Sequence, residues 1–124
     1  MSKNDTQYLG NPNLKKANVP VQFSMDQVKE YVKCKQDPIY FAKNYIKIVS
    51  LDRGLVPFNL YDFQENLIRS FHERRFTICK MPRQTGKSTT CVAFLLHYAL
   101  FNDNVTIGIL ANKAATAREI LGRL

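Results

Sequence analysis

The order of patterns after residue 75 constrains what this chain can fold into more than any other feature. "FTICKM", 76 to 81, is a short β-prone hexamer that predicts a strand. A loop containing Gly86 follows, and Lys87 to Phe101 is apolar nearly all round, as a helix buried on most sides would be. Asn102 to Asn104 makes a turn, and "VTIGILA", 105 to 111, is a continuous apolar run typical of a parallel strand covered on both faces. Ala114 to Leu124 has helix-forming composition. Strand, loop, helix, strand, helix is one βαβ unit and the start of the next, which predicts an α/β fold with a parallel sheet. Two strands do not make a stable sheet of that kind. The last residues also carry no capping or stop signal, so the pattern predicts a chain that ends in mid-domain.

Upstream the periods are helical. Residues 1–23 are polar, with Asn11-Pro12-Asn13 and Pro20 as breakers, and read as an irregular arm. Residues 24–75 read as a helical subdomain. Ser24 with Gln27 three positions on resembles a capping box, and Met25, Val28, Tyr31 and Val32 continue it as a helix to about Lys35. Asp37-Pro38 is a second start signal, with Phe41, Ala42, Tyr45, Ile46 and Val49 on one helical face until Gly54 and Pro57 break it. Leu60, Phe63, Leu67, Ile68 and Phe71 form the stripe of a third helix, closed by Arg74-Arg75. Residues 76–124 are then the start of the α/β core.

The loop "MPRQTGKSTT", 81 to 90, carries the chemistry. The phosphate-binding pattern G-x-x-x-x-G-K-[ST] lies between a strand and a helix. Gly86, Lys87 and Ser88 satisfy its second half, whereas Met81 stands where the first glycine belongs. In that setting Gly86 lets backbone approach the phosphates, and loop N–H groups with the helix N-terminus face the anion. Lys87 can reach the β- and γ-phosphates, and the Ser88 hydroxyl can coordinate Mg²⁺ with Thr89 beside it. Arg83 either stabilises charge developing on the γ-phosphate in cis or pairs with an acidic group or DNA.

Charge agrees with a polyanionic partner: 18 Lys and Arg oppose 10 Asp and Glu, a net +8. Cys34, Cys79 and Cys91 form no CxxC pair and the two histidines are not at ligand spacing, which argues against zinc or a disulfide framework. Cys79 and Cys91 sit in apolar runs and read as core residues. "CVAFLLHYALF" is too short to cross a bilayer.

"PRQTGKSTT" after "FTICKM" resembles the variant Walker A loop of phage terminase large subunits, the ATP-driven DNA-packaging motors. "LGNPNLKKANVPVQFS", "DPIYFAKNYIKIV", "LYDFQENLI" and "GILANKAATAREIL" resemble the matching N-terminal segments of the T-even-type large terminase, in unbroken order from about Leu9 to Leu124. The resemblance implies a RecA/ASCE-like P-loop NTPase fold, incomplete here, and binding of ATP with Mg²⁺ by Pro82, Arg83, Gln84, Thr85, Gly86, Lys87, Ser88 and Thr89. It implies that "FNLYDFQ" recognises adenine through Gln64, with Asn59 where relatives carry another glutamine. "ANK", 111 to 113, is similar to the motif Ia segment of these motors and of helicases, so Lys113 is either a nucleic-acid or coupling residue or a plain exposed lysine. Double-stranded DNA, a portal protein, a small terminase subunit and a homo-oligomeric ring follow as partners, in the host cell cytoplasm. The family's Walker B acids and nuclease domain have no counterpart here; after the loop the only acids are Asp103 and Glu119. The chain alone is therefore expected to hydrolyse ATP negligibly. The alternatives are a helicase-like ATPase and a non-catalytic DNA-binding piece.

Overall fold

Caps and turns set where this chain becomes regular. The structure is a computed structural model and describes residues 6–50 and 52–123. In order its elements are β1 (Gln7–Tyr8), β2 (Asn11–Lys15), α1 (Met25–Gln36), α2 (Pro38–Tyr45), β3 (Lys47–Ser50), β4 (Gly54–Pro57), α3 (Asp62–Glu73), α4 (Lys87–Phe101) and α5 (Ala114–Leu121).

Ser24 Oγ accepts from Gln27 N at 3.2 Å while Gln27 Oε1 accepts from Ser24 N at 2.9 Å, the reciprocal cap that the spacing predicts for α1. Asp37 serves two helices: its N–H donates to the Lys33 carbonyl at the end of α1, and its Oδ1 accepts from Ile39 N and Tyr40 N at the start of α2. Pro38 fills the first position of α2, where no N–H is needed. The hydroxyls of Tyr40 and Tyr45 both donate to Glu30 Oε1, at 2.7 and 2.9 Å, and bind α2 to α1. These two bonds hold the Glu30 carboxyl below its ordinary range, and the bond to Glu30, with burial, pushes Tyr45 up to about 12.

The core gathers Ala42 of α2, Phe58 from the turn after β4, Ile68 of α3 and Ala93 of α4. Ile68 is fully buried, and α4 packs against both α2 and α3. His97 of α4 is 3% exposed, and its Nε2 hydrogen-bonds the Cys34 carbonyl at 2.8 Å, which fastens α4 to the end of α1.

The expected fold class is overturned. A parallel α/β sheet of the P-loop NTPase type is not what forms: among the described residues the only sheets are two antiparallel pairs, β1 with β2 and β3 with β4. Segments 76–81 and 105–111, both read as strands, have no ladder partner there. Strand propensity registers fit to a neighbour, and without one the β-prone side chains are left in solvent, Ile78 at 98% and Leu110 at 93% exposure. Cys79, expected in the core, is exposed for the same reason, while Cys91 is half-buried and its thiol is pushed up by burial.

Two further boundaries move. The helix expected to run on through Val49 stops at Tyr45, because Gly54 at φ 67° turns the chain and Lys47–Ser50 pairs back on Gly54–Pro57, Ile48 opposite Val56. Likewise the arm read as irregular holds a small hairpin, Gln7 opposite Lys15, around Gly10 at φ 76°.

Candidate phosphate-loop site

The loop from Met81 to Thr90 is shaped by two left-handed residues, Gln84 at φ 61° and Gly86 at φ 74°. In a turn, or where a left-handed residue follows a right-handed one, successive N–H groups face one side, the concavity that receives anions. Gly86 is also the N-cap of α4, and no side chain caps that helix end. The positive end of a fifteen-residue helix therefore meets the loop without a protein oxygen occupying it.

Side chains brace the loop from within. Thr85 Oγ1 donates to the Pro82 carbonyl at 3.1 Å. The Gly86 carbonyl accepts from both Thr90 N and Thr90 Oγ1 at 2.9 Å, and Thr90 is fully buried. Lys87 Nζ reaches back across the loop and donates to the carbonyls of Met81 at 2.8 Å and Pro82 at 2.6 Å. Its charge thus sits at the rim, on two neutral acceptors that an anion can outcompete. Arg83, Gln84 and Ser88 are exposed, and Thr89 is half-buried.

Gln64 comes to this loop from α3. It is 3% exposed, and its Oε1 accepts from Tyr61 N at 3.0 Å. A β-carbon on Gly86 would lie 2.7 Å from Gln64 Nε2. Asn59 lies exposed on the turn before α3 and makes no side-chain hydrogen bond among the described residues. Lys113 is exposed at the N-cap position of α5.

Sequence reasoning passed over two groups. Tyr61 and Phe63 stack with ring centroids 5.7 Å apart and an 8° interplanar angle, 69% and 39% exposed, on the turn that carries Gln64. In the sequence Phe63 falls on the apolar stripe, yet the helix begins at Asp62 and turns it outward; two aromatics at i and i+2 across a helix start are the signal. Thr90 is the other, a hydroxyl one turn into a buried helix whose use becomes clear only against the Gly86 carbonyl.

Among the described residues no group of three or more His, Cys, Asp or Glu could hold a metal ion. A cation here would take the Ser88 hydroxyl as its protein ligand and complete its shell with phosphate oxygens and water, a hard-oxygen set that suits Mg²⁺. Of the two acids after the loop, Glu119 is paired with Arg123 at 2.6 Å and Asp103 lies exposed beyond the far end of α4. No helix among the described residues is long and apolar enough to cross a membrane. No family model matches the chain.

Proposed function

We propose that this chain is the nucleotide-holding part of a viral DNA-packaging ATPase, a terminase large subunit. The observation that carries the reading is the loop geometry: a left-handed Gly86 at the uncapped start of α4, with the Lys87 ammonium held across the loop by the Met81 and Pro82 carbonyls. The order of motifs along the sequence supports the choice of family.

In this reading ATP lies with its phosphates on the N–H groups of 84–89. Lys87 leaves its two carbonyls for the β- and γ-oxygens, a charge-assisted exchange that the neutral acceptors favour. Ser88 holds Mg²⁺, which neutralises phosphate charge, and Thr89 supplies the adjoining hydroxyl. Arg83, exposed at the loop tip, approaches the γ-phosphate, and the base lies toward Gln64 and Asn59. Hydrolysis needs a carboxylate to orient water; Asp103 lies beyond the far end of α4, and Glu119 is already paired with Arg123. Binding without appreciable turnover is therefore the expected property of these 124 residues. In the working motor double-stranded DNA, the portal, a small terminase subunit and a homo-oligomeric ring are the proposed partners, and the net charge of +8 suits the first.

Titration with Mg·ATP tests this. Lys87→Ala is expected to weaken binding at least tenfold, about the effect of losing one charge-assisted contact, with little change in melting temperature because Lys87 is bonded only within the loop. No binding by the unaltered chain would sink the proposal. Steady turnover lost in Lys87→Ala would overturn the expectation of binding alone.

A further inference from the structure

We infer that Gln64 is a positioning residue for the phosphate loop, holding Gly86 in place from the base side of the site. The inference rests on the nucleotide reading above and goes beyond the role of a base reader.

Three observations carry it. Gln64 is buried to 3% exposure while most of the loop tip is exposed, so its amide is packed against the loop and not offered to solvent. Its Oε1 is committed to Tyr61 N at 3.0 Å, which fixes the amide's orientation and turns Nε2 toward Gly86. Finally, the space above Gly86 is filled by Nε2, since a β-carbon there would meet it at 2.7 Å. The other side of Gly86 is held by Thr90, whose N–H and hydroxyl both take the Gly86 carbonyl.

Gly86 is thus clamped between α3 and the second turn of α4. The left-handed conformation that aims the loop N–H groups is fixed by packing as well as by the absence of a side chain. The clamp also joins the two halves of the site. A base stacked on the exposed Tyr61–Phe63 pair bears on the same turn whose Tyr61 N–H holds Gln64, and through Gln64 it bears on Gly86.

Two probes separate positioning from base reading: Mg·ATP, and Mg·tripolyphosphate, which has no base. Binding of each is measured by calorimetry to the full chain and to Gln64→Ala. As insurance against misfolding, Gln64→Asn keeps the amide but draws it back by one methylene. Both variants are expected to weaken both probes by a similar factor, roughly tenfold, the size of one lost packed polar contact. Gly86→Ala is expected to weaken binding of either probe by more than the roughly tenfold of the Gln64 variants in the unaltered background and to cost several-fold less in the Gln64→Asn background. The backbone strain is the same in both, so only the clash differs. Loss of ATP binding with tripolyphosphate untouched would show that Gln64 reads only the base, which overturns the inference and leaves the site standing. Additive effects of Gly86→Ala and Gln64→Asn would also overturn it. If the unaltered chain binds neither probe, the nucleotide reading itself fails, and the inference with it.

Discussion

His97 shows what a single polar group in this core is committed to. Its Nε2 meets the Cys34 carbonyl at 2.8 Å, and its ring lies 5.5 Å from Phe41, 4.8 Å from Phe101 and 6.5 Å from His72. Burial disfavours the imidazolium and lowers its pKa below the ordinary 6.5; the Cys34 carbonyl opposes this, and His72 adds to it. A depressed folded pKa means the unfolded chain binds the proton more readily, so this group's contribution to stability is complete above 6.5 and is lost as pH falls below it. The unfolding midpoint should therefore drop between pH 7 and 5, and drop less in His97→Gln, which keeps a donor for the carbonyl but does not titrate there. An equal fall of the urea midpoint between pH 7 and 5 in the unaltered chain and in His97→Gln would refute this. Little at this scale was legible beforehand. His97 reads as a polar interruption of an apolar helix until its partner, 63 residues away in sequence, is known. The same holds for Gln64 on Gly86. By contrast Gly86-Lys87-Ser88 was legible because its chemistry is local.

Elements divide along the same line between local and distant causes. The starts of α1 and α2 were readable, since Ser24 and Asp37 act on N–H groups within three residues of themselves, and that of α4 because Gly86 stands immediately before its apolar run. Asp37 is the sharpest case because one carboxylate accepts from both Ile39 N and Tyr40 N. Asp37→Ala should cost about 1–2 kcal/mol, seen as a lower urea midpoint at unchanged slope, whereas Asp37→Asn or Asp37→Ser should recover most of it. If all three replacements behave alike, the cap is not what stabilises the α1–α2 corner. Strands fared differently. β3 and β4 hide in β-branched residues that also fit a helical stripe, and the decision falls to Gly54, whose left-handed turn brings Ile48 opposite Val56. "FTICKM" and "VTIGILA" have stronger strand composition than either, yet neither has a partner among the described residues. Composition gives a segment the capacity to pair; a neighbour at the right distance makes it a strand.

The whole molecule carries the consequence of those unpaired segments. A compact domain of 14.3 kDa exposes about 6,800 Å² by the usual scaling, whereas this chain exposes 10467 Å². Part of the excess is apolar: Phe76 at 79%, Ile78 at 98% and Leu110 at 93% exposure stand on segments free to pair with another chain. Exposed β-prone runs without a ladder partner are templates for association. The net charge of +8 opposes that association only while it is unscreened. Self-association should thus rise with salt, opposite to the binding of DNA, which weakens as counterions are restored. Sedimentation at increasing salt concentration separates the two. The chain should shift to larger species as salt rises, and replacing both apolar side chains, Ile78→Lys with Leu110→Lys, should hold it monomeric. Neither position lies in the loop, so Mg·ATP affinity should stay within about twofold, the effect expected of surface changes away from a site. A doubly substituted chain that still associates would place the contact elsewhere, on the outward side of α1, where Met25, Val28 and Val32 are also exposed. An unchanged monomer at high salt would mean that segments 76–81 and 105–111 protect their own edges in solution.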